Sequence, residues 1–98
     1  MKAIFISFYQ AFYDEVIAAL EANGITGYTF WSEVQGRGSR GGDPHLGTHA
    51  WPTLNSALLT FVPSEKVNDL IKALKAVDEA APLQGLRAFV LDAQEITA

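Results

Sequence analysis

EVQGRGSRGGDPHLGTHAWP, residues 33–52, is the stretch on which the arrangement of the whole chain turns. As a bare pattern, Gly36-x-Gly38-x-x-Gly41 satisfies the dinucleotide fingerprint of a Rossmann fold, and it follows a β-like run. That fingerprint must open a helix whose N-terminus receives the pyrophosphate. Here Gly42-Asp43-Pro44 follows, which cannot start that helix, so the Rossmann arrangement fails. The stretch is therefore a loop, and the segments on either side of it must be read separately.

The loop is unusual in content as well as length. Five of the eight glycines lie between Gly36 and Gly47, with Arg37, Arg40, His45 and His49 beside them and Trp51 closing the run. Glycine gives up conformational entropy that folding must offset, so such a cluster needs a reason. Long loops in small domains are mostly functional or disordered. Dense donors, cations and imidazoles on this one point to ligand recognition.

Before the loop, residues 3–8 (AIFISF) are β-branched and aromatic, a strand. Over residues 11–23, Phe12, Val16 and Leu20 recur at helical spacing, with Asp14, Glu15 and Glu21 on the far face, and Asn23-Gly24 is a helix stop. Residues 28–35 (YTFWSEVQ) form a second strand that runs into the loop. After the loop, residues 56–62 (SALLTFV) form a third strand, and Ser64 is placed to cap a helix with the stripe Val67, Leu70, Ile71, Leu74 and Val77, stopped by Pro82. Residues 86–91 (LRAFVL) are the fourth strand. The order β-α-β-β-α-β is the split arrangement of ferredoxin-like α+β folds, here one domain over residues 1–98 with a loop at 36–55 between strands two and three. Both faces of the strands carry bulk: Ile4 and Ile6 oppose Phe5, and Ala88 and Val90 oppose Phe89. Two helices cover one face only, so oligomerisation is expected to cover the other.

Composition narrows the function. With 49% hydrophobic and 18% charged residues the chain has much apolar surface for its size, and about 60–65% burial is all a chain this short achieves alone. The net charge of -4 argues against nucleic acid as a partner. The absence of cysteine excludes disulfides, a thiol nucleophile and thiolate metal sites. KAIFISF is too short for a signal peptide, and no run reaches the roughly 18 apolar residues of a membrane span, so a cytoplasmic location is expected.

Three kinds of site are written into the loop. Successive amides of a Gly-rich turn beside Arg37 and Arg40 can cradle an anion. Asp43, His45 and His49 would suit zinc or another divalent transition metal if the loop folds over or a second subunit contributes, with Glu33 as a further oxygen ligand if the loop folds back. There is no Glu after His45, so the zincin motif is absent. Trp51-Pro52 reads as an anchor returning the loop to the sheet or as a contact for a partner. Arg87, inside an apolar strand, needs an acidic group, a bound anion or access to water. Ser39 and Ser56 have no identifiable base beyond the loop histidines, so nothing meets the logic of a catalytic site, and an enzyme is not expected. Val34-Gln35-Gly36 is similar to the phosphate loop of acylphosphatases, but that motif follows the first strand and continues to a Phe-Arg pair.

The whole layout resembles the PII-like signalling proteins. The residues that carry the likeness are the MKAIFI strand, Asn23-Gly24-Ile25, Gly27-Tyr28-Thr29, Glu33-Val34-Gln35-Gly36-Arg37-Gly38, Pro63-Ser64-Glu65 and Gly85-Leu86-Arg87-Ala88-Phe89-Val90. The resemblance implies a homotrimer of ferredoxin-like subunits with effectors in the clefts between them. It also implies that Gly36 and Gly38 stand at the base of a long effector-sensing loop, the T-loop. Ala81-Pro82-Leu83-Gln84-Gly85 stands where the family has a Gly-Asp-Gly phosphate loop, and the loop holds no tyrosine, so uridylylation is not expected. CutA-type cation-tolerance proteins share the architecture, which sustains the metal reading.

Two functions follow as expectations. The first is a non-enzymatic trimeric sensor binding a small anionic effector, such as an adenine nucleotide, at Gly36, Arg37, Gly38, Arg40 and Arg87. Its outer loop, through His45, His49 and Trp51, would act on a membrane transporter or another regulatory target. The second is metal binding or sensing by His45, His49, Asp43 and Glu33.

Overall fold

Ile4, Ile6 and Phe8 of the first strand, β1 (Lys2–Tyr9), are fully buried, while Phe5 between them is exposed. This alternation settles which face meets the helices in the structure, a computed structural model that describes residues 1–97. A short 3-10 turn (Gln10–Phe12) leads into α1 (Tyr13–Ala22), which buries Val16, Ala19 and Leu20. The strand β2 (Thr29–Val34) precedes the loop, and β3 (Asn55–Val62) follows it. A second 3-10 turn (Ser64–Lys66) leads into α2 (Val67–Ala80), and after a third (Pro82–Gln84) comes β4 (Leu86–Asp92).

The strands pair antiparallel in the order β2-β3-β1-β4, the ferredoxin-like arrangement of the α+β class. Register explains the two faces. One row across the sheet runs Phe30, Leu58, Ile6, Ala88, and it packs with Val16 and Leu20 of α1 and Leu70 and Leu74 of α2 in the core. The next row on the opposite face runs Thr29, Leu59, Phe5, Phe89, and neither helix covers it. Phe89, Phe61 and Trp31 are about half exposed there. In β2 the ladder breaks between Trp31 and Val34, where the Ser56 hydroxyl donates to the Ser32 carbonyl at 2.7 Å.

Two terminal details differ from expectation. Each helix begins one 3-10 turn late, and Ser64 makes no side-chain cap: its Oγ accepts instead from the N-terminal ammonium at 3.5 Å. The stop at Asn23-Gly24 forms as expected, with Ile25 N–H donating to Leu20 O at 2.9 Å and Gly24 at a φ of 68°. The Lys66 ammonium donates to Asn23 O at 3.0 Å and would lie 2.9 Å from a Cβ at position 24. Gly24→Ala is therefore expected to cost about 1 kcal/mol and lower the melting temperature by about 4–8 °C. An unchanged thermal transition would contradict this account of the turn.

Candidate functional site

The loop begins as an extension of the sheet rather than as free chain. Val34 pairs with Asn55, and the Gln35 side chain donates to Leu46 O at 3.0 Å. Gly36 and His45 then exchange two backbone hydrogen bonds, 2.8 and 2.7 Å long. These bonds cinch residues 37–44 into one lobe. A second lobe is closed by Gly47 N–H to Thr53 O at 3.0 Å and Thr48 N–H to Trp51 O at 2.9 Å. The long loop is thus two small lobes hung from the end of the sheet.

The first lobe leans over the turn that joins α2 to β4. A Cβ on Gly42 would lie 3.4 Å from Leu83 O, so the two segments are in contact. Backbone bonds from Tyr9 N to Gly85 O at 3.2 Å and from Gln10 N to Leu54 O at 3.1 Å tie that turn and the start of β3 to the end of β1. Between lobe and turn lies a cleft of about 600 Å³. Arg37, Arg40 and Asp43 line it from the lobe, Leu83 from the turn, Ser7 and Arg87 from the sheet.

All three arginines of the chain therefore meet at one cleft. Among the described residues the one ion pair is Lys2 with Asp92, so none of the arginines is neutralised by a carboxylate. Arg87 Nη1 donates to Leu86 O at 3.1 Å, which leaves the rest of its fork unengaged. Guanidinium groups gathered in this way can hold an anion, since a planar five-donor fork suits phosphate or carboxylate oxygens. Arg87, expected to need a partner inside its strand, lies on the helix-free face of the sheet in the row of Trp31, Ala57 and Ser7.

The candidate anion residues Gly36, Arg37, Gly38, Arg40 and Arg87 all line this cleft. The candidate metal residues are dispersed. Asp43 and His45 line the cleft, His49 is exposed in the second lobe and Glu33 is exposed on β2. Among the described residues no three His, Cys, Asp or Glu side chains come together to hold a metal ion. The Gly36–His45 bridge is the reason: it turns His45 inward, where Nδ1 meets Asn55 Oδ1 at 2.6 Å, and puts His49 in the other lobe. Trp51 does not anchor the loop; it is 40% exposed, and its amide donates to Thr48 Oγ1 at 3.1 Å. Asn55 and Ser7 also line the cleft and were not singled out from the sequence. For Asn55 the available signal was its position as the first residue of β3, opposite the strand end that enters the glycine run.

The chain matches the family of the nitrogen regulatory protein P-II over residues 1–98 and belongs to it. Its fold is that of CPII, a nitrogen regulatory PII-like protein from Thiomonas intermedia K12 whose structure was solved bound to ADP, AMP and bicarbonate. The two are 24% identical at a TM-score of 0.74, over 91% of this chain and 81% of that one. CPII bound to ADP and bicarbonate aligns at 25% identity and a TM-score of 0.73, with the same coverage. A PII-like signalling protein from Thermus thermophilus is 25% identical at a TM-score of 0.64, over 91% of this chain and 82% of that one. No curated protein matches the chain. No helix among the described residues is long and apolar enough to cross a membrane.

Proposed function

We propose that this P-II family member is a non-enzymatic sensor that binds a small anionic effector, an adenine nucleotide, in the arginine cleft. The observation that carries the reading is the convergence of Arg37, Arg40 and Arg87, the whole arginine content of an acidic chain, on one cleft, with no carboxylate partner among the described residues. The cleft has room for a nucleotide, since ligand sites commonly span about 300–1,000 Å³. The ADP held by the PII-like protein CPII supports the same choice of ligand.

The working form in this reading is a homotrimer. Arg87 and Phe89 line the cleft and also belong to the apolar face that the helices leave open, so a second copy laid on that face borders the cleft. Effector binding then orders the first lobe, and the second lobe, with exposed His49 and Trp51, meets a transporter or other regulatory target. No observation favours metal as the effector; Asp43, His45, His49 and Glu33 would need ligands from another copy.

Calorimetric titration of the purified protein with ATP, ADP, AMP and pyrophosphate tests the proposal. Saturable binding of at least one adenine nucleotide, weakened by added salt, is expected, because exposed charges are screened within about 10 Å at 0.1 M ionic strength. Silence across all four ligands would remove the nucleotide reading.

A further inference from the structure

Outside the Gly36–His45 bridge, residues 37–44 make no hydrogen bond to the rest of the chain among the described residues. The lobe that carries Arg37 and Arg40 is therefore hydrogen-bonded only at its neck, and beyond it touches the chain where Gly42 meets Leu83. The Gln35 side chain braces the neck through Leu46 O, and Asn55 backs the bridge itself. Asn55 Nδ2 packs on Gly36 so closely that a Cβ there would meet it at 2.1 Å and Asn55 Cγ at 3.1 Å. With the amide nitrogen facing Gly36, Oδ1 faces His45 and can only accept, so His45 Nδ1 carries a proton and donates to it at 2.6 Å. The imidazole is only 6% exposed and lies 5.3 Å from the Tyr9 ring, which fixes its plane. Among the described residues Nε2 has no partner and is not sealed from solvent, and His45 lines the cleft.

We propose that Asn55 is a positioning residue for the anion cleft: its one carboxamide holds both ends of the arginine-bearing lobe, Gly36 by contact and His45 by hydrogen bond, and so keeps Arg37 and Arg40 over the ligand. The inference rests on the anion-binding reading. It gives Gly36 a reason beyond turn-making, since the absent side chain is the space the Asn55 amide occupies. It also gives His45 a role without a metal, as the ring that closes the lobe.

The experiment is a double-substitution cycle read by ADP calorimetry, by thermal unfolding without ligand, and by the ring nitrogens of His45 in a long-range ¹H–¹⁵N spectrum. In Asn55→Ala the lobe is released and must be ordered by the ligand, so Kd for ADP is expected to rise about tenfold while the melting temperature stays nearly unchanged. Gly36→Ala should give a similar loss, because its methyl displaces the Asn55 amide. The double variant should bind no more weakly than either single one, since the nearest atom left at position 55 is Cβ at 3.6 Å. Two independent effects would instead multiply to about a hundredfold. The spectrum should show the Nδ1–H form of His45 in the native protein and its loss in Asn55→Ala.

A native protein that binds neither ADP nor pyrophosphate would remove the anion reading and this inference with it. Native binding with unchanged affinity in Asn55→Ala would overturn the inference alone. Multiplicative losses, an unaltered His45 spectrum, or an Asn55→Ala chain that does not fold would also overturn it, the last by marking Asn55 as structural.

Discussion

Ile6→Asp is expected to leave no folded protein, whereas Phe89→Asp is expected to leave a folded chain that no longer assembles. The two positions lie on neighbouring strands, yet the register sends them to opposite faces of the sheet. Ile6 is fully buried, sits between Leu58 and Ala88, and belongs to the core with the buried residues of both helices. An unpaired carboxylate there costs several kcal/mol, a large share of the roughly 5–15 kcal/mol that holds a domain together. Phe89 is 56% exposed in the single chain, so an aspartate there meets water and leaves the core untouched. In the trimer that we propose, the same aspartate would be buried at the subunit boundary and would break the assembly. Circular dichroism separates the folded variant from the unfolded one, and light scattering gives the mass. A native protein that scatters as a monomer at micromolar concentration would remove the trimer, and so would a Phe89→Asp variant with the native mass.

Much of the fold was legible because it depends on local signals. The β-branched run at 3–8, the 3.6-residue stripes and the stops at Asn23-Gly24 and Pro82 each act through near neighbours, and each formed within about two residues of its expected place. Which sheet face meets the helices was not legible, since both rows are apolar and only the packing chooses between them. The site was legible in part. The glycines and arginines of the loop marked one wall of the cleft, and Arg87 joined them through strand pairing. The grouping of His45 and His49 came from their nearness in sequence, and within one chain the Gly36–His45 bridge places them in different lobes. Asn55 escaped notice because its partners, Gly36 and His45, are 19 and 10 residues away, and nothing in the residue type announces such a contact.

Replacing Arg37, Arg40 and Arg87 together by Gln is expected to abolish nucleotide binding while leaving the fold intact. None of the three is fully buried, and among the described residues none holds an ion pair, so no neutralised contact seen there is lost when their charges go. Bound to a phosphate, each supplies charge-assisted hydrogen bonds, and the loss of one such partner is worth about 1.5–3 kcal/mol, or roughly 10–150-fold in Kd. The single changes should be unequal. Arg87 stands on β4, held in the sheet by its pairing with Ser7, whereas Arg37 and Arg40 ride on a lobe fastened at one bridge. A pre-ordered donor spends less of its binding energy on its own immobilisation, so Arg87→Gln should weaken ADP more than Arg40→Gln. Lys72→Gln removes the same charge from an exposed position of α2 and should leave the affinity unchanged, which separates the cleft from the overall field of the protein. If the triple variant bound ADP as the native protein does, the anion would have to be held elsewhere. The convergence of the arginines would then need another explanation.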